Sequence, residues 1–183
     1  MGLDMYLSKK TYVQNWNHMD ESELHDVTVK KGGKVRKDIK PERVSEITES
    51  VAYWRKANQI HNWFVENVQG GEDDCREYYV DREQLQELLD ICLQVRLSTT
   101  MEEGVIANGK VLKDGVWMPN FEEGKNLKDT SVAEELLPTS SGFFFGGTDY
   151  DEWYMQQIEY TIKTLTELLE EKEGGDFYYQ ASW

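Results

Sequence analysis

The sequence is poor in cysteine and has no long hydrophobic run, and both shortages narrow the classes to which this protein can belong. Its 183 residues include 2 cysteines, Cys75 and Cys92, too few for the disulfide framework of a small secreted domain. No apolar run approaches the roughly 18 residues of a membrane-spanning helix, and residues 1–7 lack the charged-then-apolar pattern of a signal peptide. We therefore expect a cytoplasmic protein that does not bind membranes.

Basic residues are also in short supply. The chain has 20 Lys and Arg residues against 35 Asp and Glu residues, which gives a net charge of −15 at pH 7. Direct binding of nucleic acids, like binding of anionic membranes, needs a net basic surface, so neither is expected here. A basic protein partner, or mimicry of the charge of a nucleic acid, is compatible with this composition.

Motifs for catalysis or metal binding are missing. The sequence has no His-x-x-x-His or Cys-x-x-Cys spacing, no Gly-x-Ser-x-Gly nucleophile motif and no phosphate-binding Gly-x-x-x-x-Gly-Lys motif. His18 and His25 lie in a polar loop, and only His61 falls inside a predicted helix. We therefore predict no catalytic residue, no metal site and no cofactor.

Aromatic residues, 12% of the chain, are concentrated in short blocks. These blocks are residues 53–64, 143–145, 150–154 and 177–183. Such blocks build either the core or a pocket in which rings stack on a ligand. Helical spacing predicts buried positions for Tyr53, Phe64 and Tyr154, and the three phenylalanines 143–145 are predicted to pack into the core from a strand.

Hydrophobic periodicity predicts three amphipathic helices and several strands. The helices are expected at residues 52–68, 82–97 and 149–173. Asp81 and Gln84 form a capping box for the second helix, and Cys92 lies in its apolar stripe. Strands are expected at residues 3–13, 43–51 and 176–183, with a Gly-Gly hairpin at 27–36. The predicted fold is α+β: a small, mostly antiparallel sheet covered by about three amphipathic helices.

Residues 1–183 are predicted to form a single domain with an insertion at 99–130. The turn signals Asn108-Gly109 and Asp114-Gly115 separate short apolar runs in this stretch. We expect a β excursion over residues 105–117, followed by a mobile loop.

Two segments supply candidate ligand-binding residues. Trp54, Asn58 and His61 are spaced i, i+4, i+7, so they share one flank of the first predicted helix. A stacking ring, an amide and an imidazole there could recognise a planar heterocycle; alternatively, Trp54 covers the core and the polar pair hydrogen-bonds the backbone. Arg55 and Lys56 project nearby and could contact phosphates or solvent.

The second segment is the loop Ser140-Ser141-Gly142, whose backbone amides and hydroxyls could hold an anion. Trp153 is a further candidate beside this loop. The acidic run at residues 149–152 opens the third predicted helix, where acids are favoured for structural reasons alone.

Several distinctive motifs are spread along the chain. In chain order these motifs are Met1-Gly2-Leu3-Asp4-Met5-Tyr6-Leu7, Tyr53-Trp54-Arg55-Lys56-Ala57-Asn58 with Ile60-His61 and Trp63-Phe64, Asp74-Cys75, Leu136-Leu137-Pro138-Thr139, Ser141-Gly142-Phe143-Phe144-Phe145-Gly146, Tyr150-Asp151 and Phe177-Tyr178-Tyr179. Together they resemble an uncharacterised family of small cytosolic proteins carried by bacteriophages and prophages. The resemblance implies an accessory protein of a mobile element, active in the cytosol of a bacterial host. It supplies no catalytic residue.

Three functions are compatible with these observations. The first is binding without catalysis, in which the protein sequesters a small nucleotide-like ligand as a counter-defence. The second is inhibition of a host defence protein by an acidic surface that mimics nucleic acid, and the third is a small hydrolase or transferase that uses His61. Exposed aromatic residues such as Trp16, Trp117 and Trp183 could also form a homo-oligomer interface. We rank ligand binding first.

Overall fold

The computed structural model describes residues 2–142, 144–172 and 174–183. Over these residues the chain forms eight strands and four α-helices. The strands are β1 (Asp4–Tyr12), β2 (Lys30–Lys31), β3 (Lys34–Val35), β4 (Glu46–Arg55), β5 (Tyr78–Val80), β6 (Met101–Lys113), β7 (Val116–Leu127) and β8 (Asp176–Ser182). The helices are α1 (Asn58–Asn67), α2 (Arg82–Ser98), α3 (Ser131–Leu136) and α4 (Glu152–Glu170). The predicted α+β class is confirmed.

A four-stranded antiparallel sheet with the order β4-β1-β8-β5 forms the centre of the protein. Side chains alternate along each strand, so one face of the sheet is apolar. Met5 is paired with Trp54 on β4 and with Ala181 on β8, and all three are buried. The opposite face carries exposed tyrosines, among them Tyr6 and Tyr53.

Helices α1, α2 and α4 cover the apolar face and complete one core. The ring of Phe64 on α1 stacks on Tyr179 of β8, with centroids 3.9 Å apart and planes at 8°. Asp81 caps α2 through its predicted capping box with Gln84. Cys92 is buried as expected, and burial raises the pKa of its thiol.

The first predicted helix is too long at its N-terminus. Residues 52–55 belong to strand β4, because Ala52 and Trp54 alternate with Tyr53 and Arg55 between the buried and exposed faces. Helix α1 begins only at Asn58. Tyr53 is therefore 45% exposed on the outer face of the sheet, not buried on a helix.

Two further predictions about secondary structure are wrong. Phe144 and Phe145 lie in a turn and not in a strand, although Phe145 packs against the core. Phe143 lies outside the described residues. In place of the mobile loop expected after residue 117, β7 continues to Leu127 and pairs with β6 in a long hairpin.

Asp114 and Gly115 make the turn of this hairpin, with φ values of 49° and 77°, as a two-residue turn requires. The other turn signal, Asn108-Gly109, marks a bulge within β6, where the pairing register shifts between Ala107 and Lys110. The bulge residues Asn108 and Gly109 line a groove on the surface of the protein.

Candidate functional site

The connection between β4 and α1 forms a sharp corner at Lys56. Lys56 has a φ of 59°, a left-handed conformation that is unfavourable for a residue with a side chain. Its N–H donates to the carbonyl oxygen of Leu3 at 2.8 Å. This bond fixes the corner to β1, so that Arg55 and Lys56 are both exposed beside the start of α1.

Trp54 is a core residue and does not share a helix flank with Asn58 and His61. Its side chain is 1% exposed, and the indole Nε1–H donates to Thr161 Oγ1 at 2.9 Å. The ring of Trp54 also lies 6.0 Å from that of Phe64. A ligand therefore has no access to this indole, and the alternative that Trp54 covers the core is the correct one.

His61 is buried between two hydrogen-bond partners. Its Nδ1 lies 2.7 Å from the Tyr179 hydroxyl, and its Nε2 lies 3.0 Å from Asp73 Oδ2. Burial raises the pKa of Tyr179 well above its ordinary value, so the hydroxyl keeps its proton while it hydrogen-bonds Nδ1. The Nε2–H of His61 then donates to the Asp73 carboxylate. Both ring nitrogens of His61 are therefore engaged, and 1% of its surface is exposed.

Asn58 organises the loop that precedes α4. Its Nδ2 donates to the carbonyl oxygens of Phe145 at 3.1 Å and Gly147 at 2.8 Å, and its Oδ1 accepts from the N–H of Ser140 at 2.9 Å. The side chain is 2% exposed. Asn58 is thus a positioning residue whose amide fixes the shape of the loop.

A groove of about 750 Å³ opens beside this loop. Its walls come from four parts of the chain: the β4–α1 corner, the loop at residues 139–149, the bulge of β6 with Pro119 of β7, and the first turns of α4. The lining residues are Arg55, Lys56, Asn58, Gln59, Ala107, Asn108, Gly109, Lys110, Pro119, Thr139, Gly142, Phe144, Gly146, Gly147, Asp149, Asp151, Trp153, Tyr154 and Gln157. This volume is in the range of sites for small ligands.

Five of the nine predicted ligand-binding residues line the groove: Arg55, Lys56, Asn58, Gly142 and Trp153. The other four, which are Trp54, His61, Ser140 and Ser141, do not. Ser140 is held through its backbone by Asn58, and Ser141 is exposed outside the groove. The groove therefore includes the corner residues Arg55 and Lys56 and the indole of Trp153. Glycines of the loop line it, and Ser140 and Ser141 do not.

Charged side chains of both signs line the groove. Arg55, Lys56 and Lys110 supply positive charge, and within the described part of the chain neither lysine has an acidic group at ion-pair distance. Arg55 is only weakly paired, with its Nε 4.0 Å from Asp4 Oδ1. Asp149 and Asp151 also line the groove, so its three basic residues outnumber its acidic ones, in contrast to the protein as a whole, whose net charge is −15.

The start of α4 forms another wall of the groove. Asp151 caps this helix, and its Oδ1 accepts from the N–H groups of Trp153 at 2.9 Å and Tyr154 at 3.1 Å. Burial raises the pKa of Asp151 above its ordinary value. The indole of Trp153 is 47% exposed, so it offers a flat apolar face to a ligand.

Several groove residues were not predicted from the sequence. Gln59 carried no signal beyond its place next to Asn58, and Lys110 lies in a stretch predicted as a β excursion away from the site. The bulge at Asn108-Gly109 places Lys110 at the groove. The turn signal was visible in the sequence, but its position next to α1 depends on tertiary packing.

Residues 2–142, 144–172 and 174–183 contain no cluster of His, Cys, Asp and Glu side chains suited to a metal ion. In the same residues, no helix is long and apolar enough to cross a lipid bilayer. No protein-family model, curated protein or solved structure matches the chain.

Proposed function

We propose that this protein binds a small, anionic, ring-bearing ligand of the nucleotide type in the groove, without catalysis. The observation that carries the proposal is that one groove of about 750 Å³ holds an exposed indole, Trp153, together with Lys56 and Lys110, which have no ion-pair partner within the described residues. A flat indole stacks on any heterocyclic base. The cations attract the negative charge that such a ligand carries.

The loop at residues 139–149 is suited to this role because it is held in shape before any ligand arrives. Asn58 makes three hydrogen bonds to it, and a preformed site spends less binding free energy on ordering itself. Sequestration of such a ligand by a mobile-element protein in a bacterial host would be a form of counter-defence, which the family resemblance favours.

The proposal is tested by isothermal titration calorimetry with AMP and GMP, each against the wild-type protein and two tryptophan variants. Trp153→Ala removes the groove indole and should weaken binding about tenfold or more, because stacking contributes roughly 1–3 kcal/mol per base. Trp117→Ala is the matched control, since Trp117 is 65% exposed on the hairpin and does not line the groove. No heat of binding for either nucleotide at millimolar concentration, or an equal loss in both variants, would contradict the proposal.

A further inference from the structure

Helix α1 begins at the groove without a capping side chain. Residue Ala57 occupies its N-cap position, and no side chain accepts a hydrogen bond from the first turn. By contrast, Asp81 caps α2 and Asp151 caps α4. The first N–H groups of a helix have no partner within the helix, and they carry the positive end of its dipole. Within the described residues, no side chain caps the start of α1, and its first N–H groups lie where Asn58 and Gln59 line the groove.

Gln59 is a second, independent sign of a missing acceptor at this position. Its side chain is 3% exposed, and its Nε2 has no hydrogen-bond partner among the described residues. Buried amide donors are nearly always satisfied in folded proteins. Because Gln59 lines the groove, an acceptor bound in the groove would give this donor a partner.

Lys56 adds positive charge at the same corner, and the loop approaches it closely. Gly146 has a φ of 92°, and a Cβ at this position would lie 3.0 Å from Lys56 Cβ. Only a glycine lets the loop pass so near the corner. Lys56, Gln59 and the first turn of α1 thus face one confined part of the groove.

We propose that this part of the groove is a subsite for the phosphate group of a phosphate monoester; the inference rests on the proposed function and names the group that the groove selects. The first turn of α1 supplies backbone N–H groups and the Gln59 amide, and the corner before it supplies Lys56; several donors close together suit the several oxygens of a tetrahedral oxyanion. The phosphate would accept hydrogen bonds from Gln59 Nε2 and the first N–H groups of α1, while Lys56 balances its charge. The ring of the ligand would then extend towards Trp153.

The subsite is tested with three probes: AMP, adenosine and inorganic phosphate. Binding is followed by calorimetry and by ¹⁵N NMR of the backbone amides of residues 58–60 and the side-chain amide of Gln59. AMP should bind roughly tenfold or more tightly than adenosine, because hydrogen bonds to a charged group are strong. Inorganic phosphate alone should shift the same amide signals.

Two variants remove the subsite with little risk to the fold. Gln59→Leu replaces the unsatisfied amide by an apolar group of similar size, and Lys56→Gly suits the positive φ. Each should lower the affinity for AMP more than the affinity for adenosine, whereas Lys34→Ala on the β2–β3 hairpin, outside the groove, should change neither. Equal affinity for AMP and adenosine in the wild type would overturn the subsite and leave the proposed function standing. No response to any of the three probes would overturn both.

Discussion

Asn58 Nδ2 donates to the carbonyl oxygen of Gly147 at 2.8 Å, and this bond joins the start of α1 to the loop that forms one wall of the groove. The two residues are 89 positions apart in the chain. The shape of the groove therefore depends on a long-range contact and not on the local conformation of the loop.

Replacing Asn58 by Ala should loosen the loop and destabilise the protein. The variant loses three buried hydrogen bonds and leaves their partners unsatisfied, so we expect the free energy of unfolding to fall by about 2–4 kcal/mol. Urea denaturation measures this loss, and hydrogen exchange should become faster over residues 139–149. Asn62→Ala is the control, because Asn62 lies on the same helix and has no side-chain hydrogen bond within the described residues. A loss as large in the control would contradict the role of Asn58.

Gly146→Ala should be far more harmful than Gly147→Ala. Gly146 has a φ of 92° and no room for a Cβ beside Lys56, whereas a Cβ on Gly147 would meet nothing within 4 Å. We expect the first variant to lose roughly 1–3 kcal/mol of stability and the second to stay close to the wild type. Thermal unfolding of the two variants decides the point, and equal melting temperatures would show that the loop does not press against the corner.

Some elements of the fold could be predicted from the sequence, and others could not. The α+β class, β1, β8, α2 and its capping box follow from hydrophobic periodicity and from short local signals. The β4–α1 corner does not, because Tyr53 and Trp54 fit a helical stripe as well as an alternating strand. Strand β4 ends where Lys56 adopts a left-handed conformation, and a lysine in the sequence does not predict that conformation.

The candidate site could likewise be predicted only for residues whose type or near neighbours in the sequence suggest a role. Lys56, Asn58 and Trp153 were found because aromatic, amide and basic residues are recognisable one at a time. The contribution of Lys110 could not be found, since it depends on the packing of a hairpin against α4 and the loop. Trp54 and His61 were assigned to a ligand although the core needs them.

Tyr179→Phe should destabilise the protein through His61. The substitution keeps the ring that stacks on Phe64 but removes the hydroxyl that hydrogen-bonds His61 Nδ1, which leaves a buried nitrogen without this partner. We expect a loss of about 1–3 kcal/mol in the free energy of unfolding. Tyr178→Phe is the control on the adjacent, opposite-facing position, and it should have little effect. A neutral outcome for Tyr179→Phe would mean that the hydrogen bond contributes nothing.

Asp151→Asn should change how stability depends on pH. Burial raises the pKa of Asp151 above its ordinary value of 3.8, so the folded protein takes up a proton more readily than the unfolded chain. The contribution of this carboxyl to stability therefore decreases as the pH rises from about 4 through its folded-state pKa. Asparagine stays neutral and still offers an oxygen to the N–H groups of Trp153 and Tyr154.

The variant should accordingly gain stability relative to the wild type as the pH rises through this window and keep that gain at neutral pH. Chemical denaturation at a series of pH values measures the difference. Parallel stability curves for the two proteins would show that the charge of Asp151 is equally favourable in the folded and unfolded states.

The strand order β4-β1-β8-β5 has a consequence for the assembly of the protein during translation. Strand β8 is made after all other strands, yet it lies between β1 and β5 and separates them. Before β8 has been synthesised, β4 is the one neighbour of β1 in the central sheet that is available. The other edge of β1 is then open to pairing with unrelated strands. The central sheet is therefore completed last, by contacts between residues that are far apart in the chain, and such contacts form slowly. The nascent chain must pass through a stage in which its open strand edge is a target for aggregation or for a chaperone.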